Sequence, residues 1–301
     1  MKLFSKWMSL TGLMLLAACA GHTPKKDLAA TPADEMPTRV IDAHVHVHYR
    51  GGVDKSGGYP DTPEEFLRQL REVNGVGAVA HTSPKGNEND RDFKSLGIIP
   101  CFGISKDPDL KKVEAGLKNG FRCIKIYLGY EYQYPNHPHY KAVYRLAQKY
   151  NVPVVFHTGD TYDVNGNLKY SEPLGIDEVA VEFRKVKFVI AHIGNPWIET
   201  AAEVAYKNPN VYIDASALLI GKLSEYSAAD LEEYVAKPLR WTWGYVEDPK
   251  KIMFGTDWPL VNIKDYLQVV KRAVPKEHWD RFFYQNAVDV FGQPPALPVA
   301  K

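Results

Sequence analysis

The chain has 301 residues, of which 45% are hydrophobic and 24% charged, the balance of a folded globular protein and not of a disordered or collagen-like one. Its 37 basic and 36 acidic side chains nearly cancel, which argues against the basic surface of a nucleic-acid binder. Three cysteines without a C-x-x-C pair are too few for a disulfide scaffold or a structural zinc site.

Lys2 and Lys6 precede an apolar run, Met8 to Ala20, that is short for a bilayer span but suits a secretory signal. The run closes on Leu16-Ala17-Ala18-Cys19, which resembles the lipobox of bacterial lipoproteins. That resemblance implies cleavage after residue 18, lipid on Cys19 and a place in the bacterial cell envelope. Ala20, in place of an Asp, implies outer-membrane sorting where two membranes exist. The alternative is a plain secretory signal. Residues 19–38 carry Pro24, Pro32 and Pro37 among polar residues with no apolar period, and read as a flexible tether.

From Arg39 onward, short apolar runs alternate with amphipathic ones. Eight runs predict strands: Val40–Val47, Gly77–His81, Gly97–Ile104, Arg122–Leu128, Val152–His157, Lys187–His192, Val211–Asp214 and Ile252–Thr256. The intervening segments carry helix starts. Thr62-Pro63-Glu64-Glu65 offers an N-cap, a Pro at the first helical position and a capping-box Glu, with Phe66, Leu67, Leu70 and Val73 as the apolar stripe. Asp107-Pro108 opens a second helix with Leu110, Val113 and Leu117 inward, and Gly120 ends it. Pro138 opens a third, and residues 197–207, 229–239 and 263–272 are similar. No Gly-rich phosphate turn follows the first strand, so a doubly wound sheet is disfavoured against a single-domain (β/α)8 TIM barrel over residues 39–293, with 294–301 as a tail. Cys101 and Cys123 fall in apolar strands. They read first as buried core thiols, with a bridge left open.

Period 2 along Val40–His48 assigns Ile41, Ala43, Val45 and Val47 to the covering helices, and Asp42, His44, His46 and His48 to the barrel interior. Polar residues also sit at the C-terminal ends of three later strands: His157, His192 and Asp257. Catalytic groups gather at that end of a barrel. Imidazoles with one carboxylate suit zinc, and also manganese, iron or cobalt.

Asp42-Ala43-His44-Val45-His46 resembles the opening motif of the amidohydrolase superfamily. Val154-Val155-Phe156-His157-Thr158-Gly159, Ile190-Ala191-His192-Ile193-Gly194-Asn195-Pro196-Trp197 and Phe254-Gly255-Thr256-Asp257-Trp258-Pro259 resemble later motifs of its amidohydrolase-related branch, which includes lactonases, other hydrolases and decarboxylases. Gln285-Asn286-Ala287-Val288-Asp289-Val290-Phe291 resembles the closing helix. The resemblance implies one divalent ion per chain, zinc first, held by His44, His46, His157 and Asp257, with His192 as adjacent catalytic histidine and Asp257 also serving in catalysis. Lys125 either contacts substrate beside one metal, the favoured arrangement, or is carboxylated and bridges two.

His81 is an even choice between substrate contact and loop cap, and Asp214 can orient a metal-bound His or cap a loop. Tyr130, Tyr132, Tyr134, His137 and His139 crowd the loop after the fourth strand, either as a substrate wall or as a surface cluster. Asp163 to Asn167 fails the spacing of a calcium loop and reads as a turn. The expected activity is hydrolysis of an ester, lactone or amide of a small molecule by a metal-activated water. The alternative is non-oxidative decarboxylation of an aromatic or enoic acid, and a metal-stabilised binding protein without turnover ranks third. The partners expected are a small-molecule substrate and a membrane through the N-terminal lipid, with no nucleic acid; homo-oligomer formation stays open.

Overall fold

The computed structural model describes residues 35–55, 57–85 and 93–299. The signal segment, Cys19 and the tether up to residue 34 lie outside them. Eight strands, β1 (Val40–Val45), β2 (Gly75–His81), β3 (Ile98–Ile104), β4 (Cys123–Ile126), β5 (Val154–Phe156), β6 (Phe188–Ile190), β7 (Val211–Asp214) and β8 (Ile252–Met253), pair in parallel in sequence order. A bridge between Val45 and Trp258 and the bonds Ala43 N to Phe254 O (3.0 Å) and Asp257 N to His44 O (2.7 Å) bring β1 beside the β8 end. The result is the expected single-domain (β/α)8 barrel.

The longer helices on the outside are α1 (Pro63–Glu72), α2 (Leu110–Lys118), α3 (Pro138–Tyr150), α4 (Gly175–Glu182), α5 (Ile198–Lys207), α6 (Lys237–Val246) and α7 (Ile263–Val270); α8 (Asn286–Phe291) closes the chain's last turn. The Thr62 hydroxyl of α1 accepts from Glu65 N, as the capping pattern predicts. Asp109, not Asp107, caps α2. Leu110 lands in its first turn and is exposed, while Val113 and Leu117 are buried. The predicted helix over 229–239 is broken: a short turn and a wide π segment, Glu232–Ala236, precede α6. Pro238, at the start of α6, has no N–H to continue an α-helical ladder.

The core has two layers. Strand residues such as Val40, Val45, Ile124 and Phe156 pack outward with helix residues such as Phe66, Val143 and Leu267. Inside the barrel Ile41, Ala43, Val79, Ile99, Cys101, Cys123, Val155, Val189 and Met253 pack together, with Tyr284, Ala287, Val290 and Phe291 around α8 joining them. The Asn286 side chain ties α8 to the barrel by donating to Pro249 O and Ile252 O, both at 2.7 Å.

Two expectations are corrected here. Ile41 and Ala43 belong to the interior, not to the helix face, and Asp42 turns the other way to accept from Thr256 N (2.9 Å) and Thr256 Oγ1. The register of β1 against β2 slips between Asp42 and Val45, so the alternation changes phase in mid-strand. That slip brings His44 and His46 to the rim although Ile41 and Ala43 stay inside. Secondly, Cys101 and Cys123 are joined as a disulfide between directly paired positions of β3 and β4. Two strands brought to pairing distance put the two Cβ atoms within bridging reach.

Candidate active site

The C-terminal ends of the strands deliver His44 and His46 from β1, Lys125 from β4, His157 after β5, His192 after β6, Asp214 from β7 and Asp257 after β8. Three of these strand ends leave regular geometry. His192, Ile193 and Asp257 all hold positive φ (59°, 45° and 68°). Gly159, at φ 84°, lets the loop after β5 run against Asn195: a Cβ there would lie 2.2 Å from Asn195 O. The same loop is pinned by Asp160 N donating to Asn195 O at 2.9 Å.

His44 Nε2, His46 Nε2 and the Asp257 carboxylate converge within 4.8 Å of one another. His46 Nε2 lies 3.1 Å and His44 Nε2 3.6 Å from Asp257 Oδ1. His157 and His192 meet at 3.3 Å, Nδ1 to Nε2. His44 and His192 rings stand 4.7 Å apart, centroid to centroid, linking the two pairs.

The outer partners decide where the ring protons sit. His44 Nδ1 lies 2.9 Å from Asp214 Oδ2, His46 Nδ1 2.8 Å from His81 O, and His157 Nε2 2.9 Å from Asp160 O. Carbonyls and carboxylates only accept, so each imidazole donates outward and turns its lone pair inward. His192 follows by one more step. The Ser216 hydroxyl donates to Asp214 Oδ1, so its oxygen accepts from His192 Nδ1 at 2.8 Å. Nε2 of His192 is then the unprotonated nitrogen. The lone pairs of His44 and His46 therefore turn toward Asp257, and those of His157 and His192 toward each other, with His157 outside the close grouping of His44, His46 and Asp257.

Asp257 Oδ1 is buried and makes no hydrogen bond although two imidazole nitrogens flank it. That is the arrangement a cation resolves: neutral imidazoles oriented by outer hydrogen bonds, with an ionised carboxylate. Burial, with Lys125 adding to it, holds the His44 imidazole well below its usual range; burial and then His192 do the same for His157, and burial lowers His192. The donor set fits a divalent metal ion. A second grouping, His44, His192 and Asp214, is better read as a hydrogen-bonded brace, because Asp214 accepts from His192 N, Ser216 N and Ser216 Oγ as well as facing His44.

Lys125 is wholly buried with Nζ 3.4 Å from His44 Nε2, and burial brings its pKa down to about 8. It does not line the cavity above the site. His81 is also buried, its Nε2 3.1 Å from Ala43 O, and stands outside the cavity wall. The cavity encloses about 620 Å3, lined by His46, His157, His192 and Asp257 at one end and by loop residues including Arg50, Tyr130, Asp160 and Tyr162. Of the aromatic loop after β4, Tyr130 reaches the cavity, 5.1 Å from the His157 ring. Tyr132 and Tyr134 pack on Tyr170, and His139 pairs with Asp107 at 2.8 Å. Asp163 caps Asn165 N in an ordinary turn. Ser216 escaped the sequence reading. Its signal was available, since it stands two residues beyond Asp214.

The amidohydrolase family model matches residues 41–293. An amidohydrolase from Burkholderia multivorans, solved with bound zinc, is 14% identical with a TM-score of 0.63 over 85% of this chain and all of that one. A probable 2-pyrone-4,6-dicarboxylic acid hydrolase from Acinetobacter baumannii, solved with citric acid bound, is 16% identical with a TM-score of 0.60 over 85% of this chain and all of that one. The 5-carboxyvanillate decarboxylase of Sphingomonas paucimobilis is 13% identical with a TM-score of 0.57 over 86% of this chain and all of that one. At these identities the likeness is one of fold. No curated protein matches the chain.

Proposed function

The chain belongs to the amidohydrolase family, and from that premise we propose that it is a metal-dependent hydrolase of a small ester, lactone or amide. The observation that carries this reading is the set of inward lone pairs beside an orphaned carboxylate oxygen. His44, His46, His157 and Asp257 would hold the ion, with zinc the first choice for such ligands and manganese, iron or cobalt the others. When bound, such an ion lowers the pKa of water to about 7 and polarises a carbonyl oxygen.

The chain's own groups supply the rest. His192 presents Nε2 unprotonated and can take a proton from the attacking water, then return it to the leaving group. Asp214 holds His44 directly and His192 through Ser216, so ligand and base share one brace. Tyr127 and Tyr130 wall the His157 side of the cavity, at ring distances of 6.1 and 5.1 Å.

Decarboxylation is the second reading, because decarboxylases share the fold. A carboxylated substrate needs a cation to grip. Lys125 is buried behind His44, and Arg50 is the one Lys or Arg on the wall among the described residues. Arg50 gives decarboxylation a candidate grip, and the buried Lys125 adds nothing to it. Metal-reconstituted mature protein, offered lactones, esters, amides and carboxylated aromatics with acid and CO2 detected separately, tests the choice. Release of CO2 alone would reverse it.

We further propose that the protein sits in the bacterial envelope, anchored by lipid on Cys19. The internal disulfide supports an oxidising compartment. Cys19→Ala should release the protein from membranes; unchanged retention would refute the anchor.

A further inference from the structure

The cavity has two electrostatic zones. At its inner end the charge of Asp257 is balanced by Lys125 behind His44 and by any ion the ligands hold. The outer wall is not balanced. Asp61, Glu131, Asp160 and Asp163 line it against Arg50, and none of the four makes an ion pair among the described residues. Elsewhere on the surface acids do find cations: Asp177 with Lys207, Glu182 with Lys141 and Glu232 with Arg240, at 2.6 to 2.8 Å.

Three of the wall acids are held by backbone amides, which carry no charge to neutralise them. Glu131 accepts from Lys106 N at 2.8 Å, Asp163 from Asn165 N at 2.9 Å, and Asp61 from Tyr49 N at 2.9 Å and Arg50 N at 3.2 Å. Backbone amides orient a carboxylate and leave its negative charge in place. The Asp160 carboxylate is exposed and accepts from no group of the described chain, while its backbone carbonyl receives His157. Beside these acids stand the rings of Tyr130 and Tyr162, with Tyr162 N donating to Tyr130 Oη at 3.0 Å. At the inner end of the same cavity, Asp257 is 6% exposed with its Oδ1 unpartnered, which marks the hollow as a place where something binds.

Carboxylates next to aromatic faces, in a hollow whose walls focus the field, select positive charge. We propose that the site takes esters or amides whose end remote from the reacting carbonyl carries an amine or quaternary ammonium, held by Asp160, Glu131 and Asp163 against the rings of Tyr130 and Tyr162. This rests on the hydrolase reading for the reacting end only; the charge preference of the outer wall stands without it. The carbonyl end then meets the balanced inner zone and the cationic end the acidic mouth. Substrates carrying an extra carboxylate are turned away by the same wall.

Calorimetry with benzyltrimethylammonium, benzyl alcohol and benzenesulfonate on the metal-loaded mature protein tests the preference without turnover. The cation should bind about fivefold tighter than the alcohol at low salt, and its lead should shrink as salt rises to about 0.5 M. Asp160→Asn with Glu131→Gln should abolish that lead. Sulfonate binding as tightly as the cation, or a lead untouched by the double variant, overturns the proposal. Turnover of phenyl acetates bearing 4-trimethylammonio or 4-sulfonate groups separates the two readings. Cation binding without turnover of any ester, lactone or amide sinks the hydrolase reading alone. Turnover of both esters at equal kcat/KM sinks the charge preference alone.

Discussion

The Ser216 hydroxyl stands 2.8 Å from His192 Nδ1 and hands its own proton to Asp214, so a serine decides which nitrogen of His192 is free to act as a base. Ser216→Ala removes that acceptor and leaves both tautomers of His192 available. Turnover should fall about 10- to 100-fold, as for other outer partners of a metal site, while metal content holds. Histidine 15N spectra should change from one tautomer to a mixture. A single unchanged tautomer with unchanged rate would show that Ser216 plays no such part.

Ligand and base should separate experimentally. His44→Ala and Asp257→Asn each remove an inward donor and should lower the stoichiometry of bound ion from about one per chain. His192→Asn should keep the ion and the fold while losing about 10² to 10⁴ in rate. Metal analysis beside turnover on the same preparations decides it. Parallel loss of metal and activity in His192→Asn would make His192 a ligand. Two ions per chain would point to the carboxylated form of Lys125.

Stability should rise on going from about pH 8 toward pH 10. Burial lowers Lys251 from 10.5 to about 8 while its Nζ donates to Asn208 O and Val211 O. Between those values the unfolded chain binds more protons than the folded one, so raising the pH favours folding. Below pH 8 both states are charged and the full cost of burying the ammonium is present. Lys251→Met should flatten this rise in denaturant titrations; an equal slope in both proteins would exclude Lys251 as its source.

Reduction of the Cys101–Cys123 bridge, which spans 22 positions, should cost about 3 kcal/mol of unfolding free energy by the loop-closure argument. Denaturation midpoints with and without reductant measure it. Identical midpoints, with thiols shown to be free, would refute the contribution.

The barrel was legible because buried parallel strands must be apolar on both faces and their polar exceptions stand out. His44, His46, His157, His192 and Asp257 were such exceptions, each at a strand's C-terminal end. The phase slip inside β1 was not legible, since Asp42, His44 and His46 keep a perfect period of two in sequence while the backbone does not. Nor was the burial of Lys125 and His81 out of the cavity, because a strand position fixes a side and not the depth a long chain reaches. The disulfide depended on register, which pairs Cys101 with Cys123 only once β3 and β4 are laid side by side.

The outward tethering of every ring proton makes the ion and the proton rivals for the same electron pairs. His157 Nδ1 and His192 Nε2 face each other at 3.3 Å, and His46 Nε2 faces Asp257 Oδ1 at 3.1 Å, with nothing of opposite sign between them in the protein itself. Acidification offers a replacement for a cation at each of these gaps, so ion release should precede unfolding as the pH falls. The acid limit of the enzyme would then be written into its coordination sphere and not into the packing of its barrel.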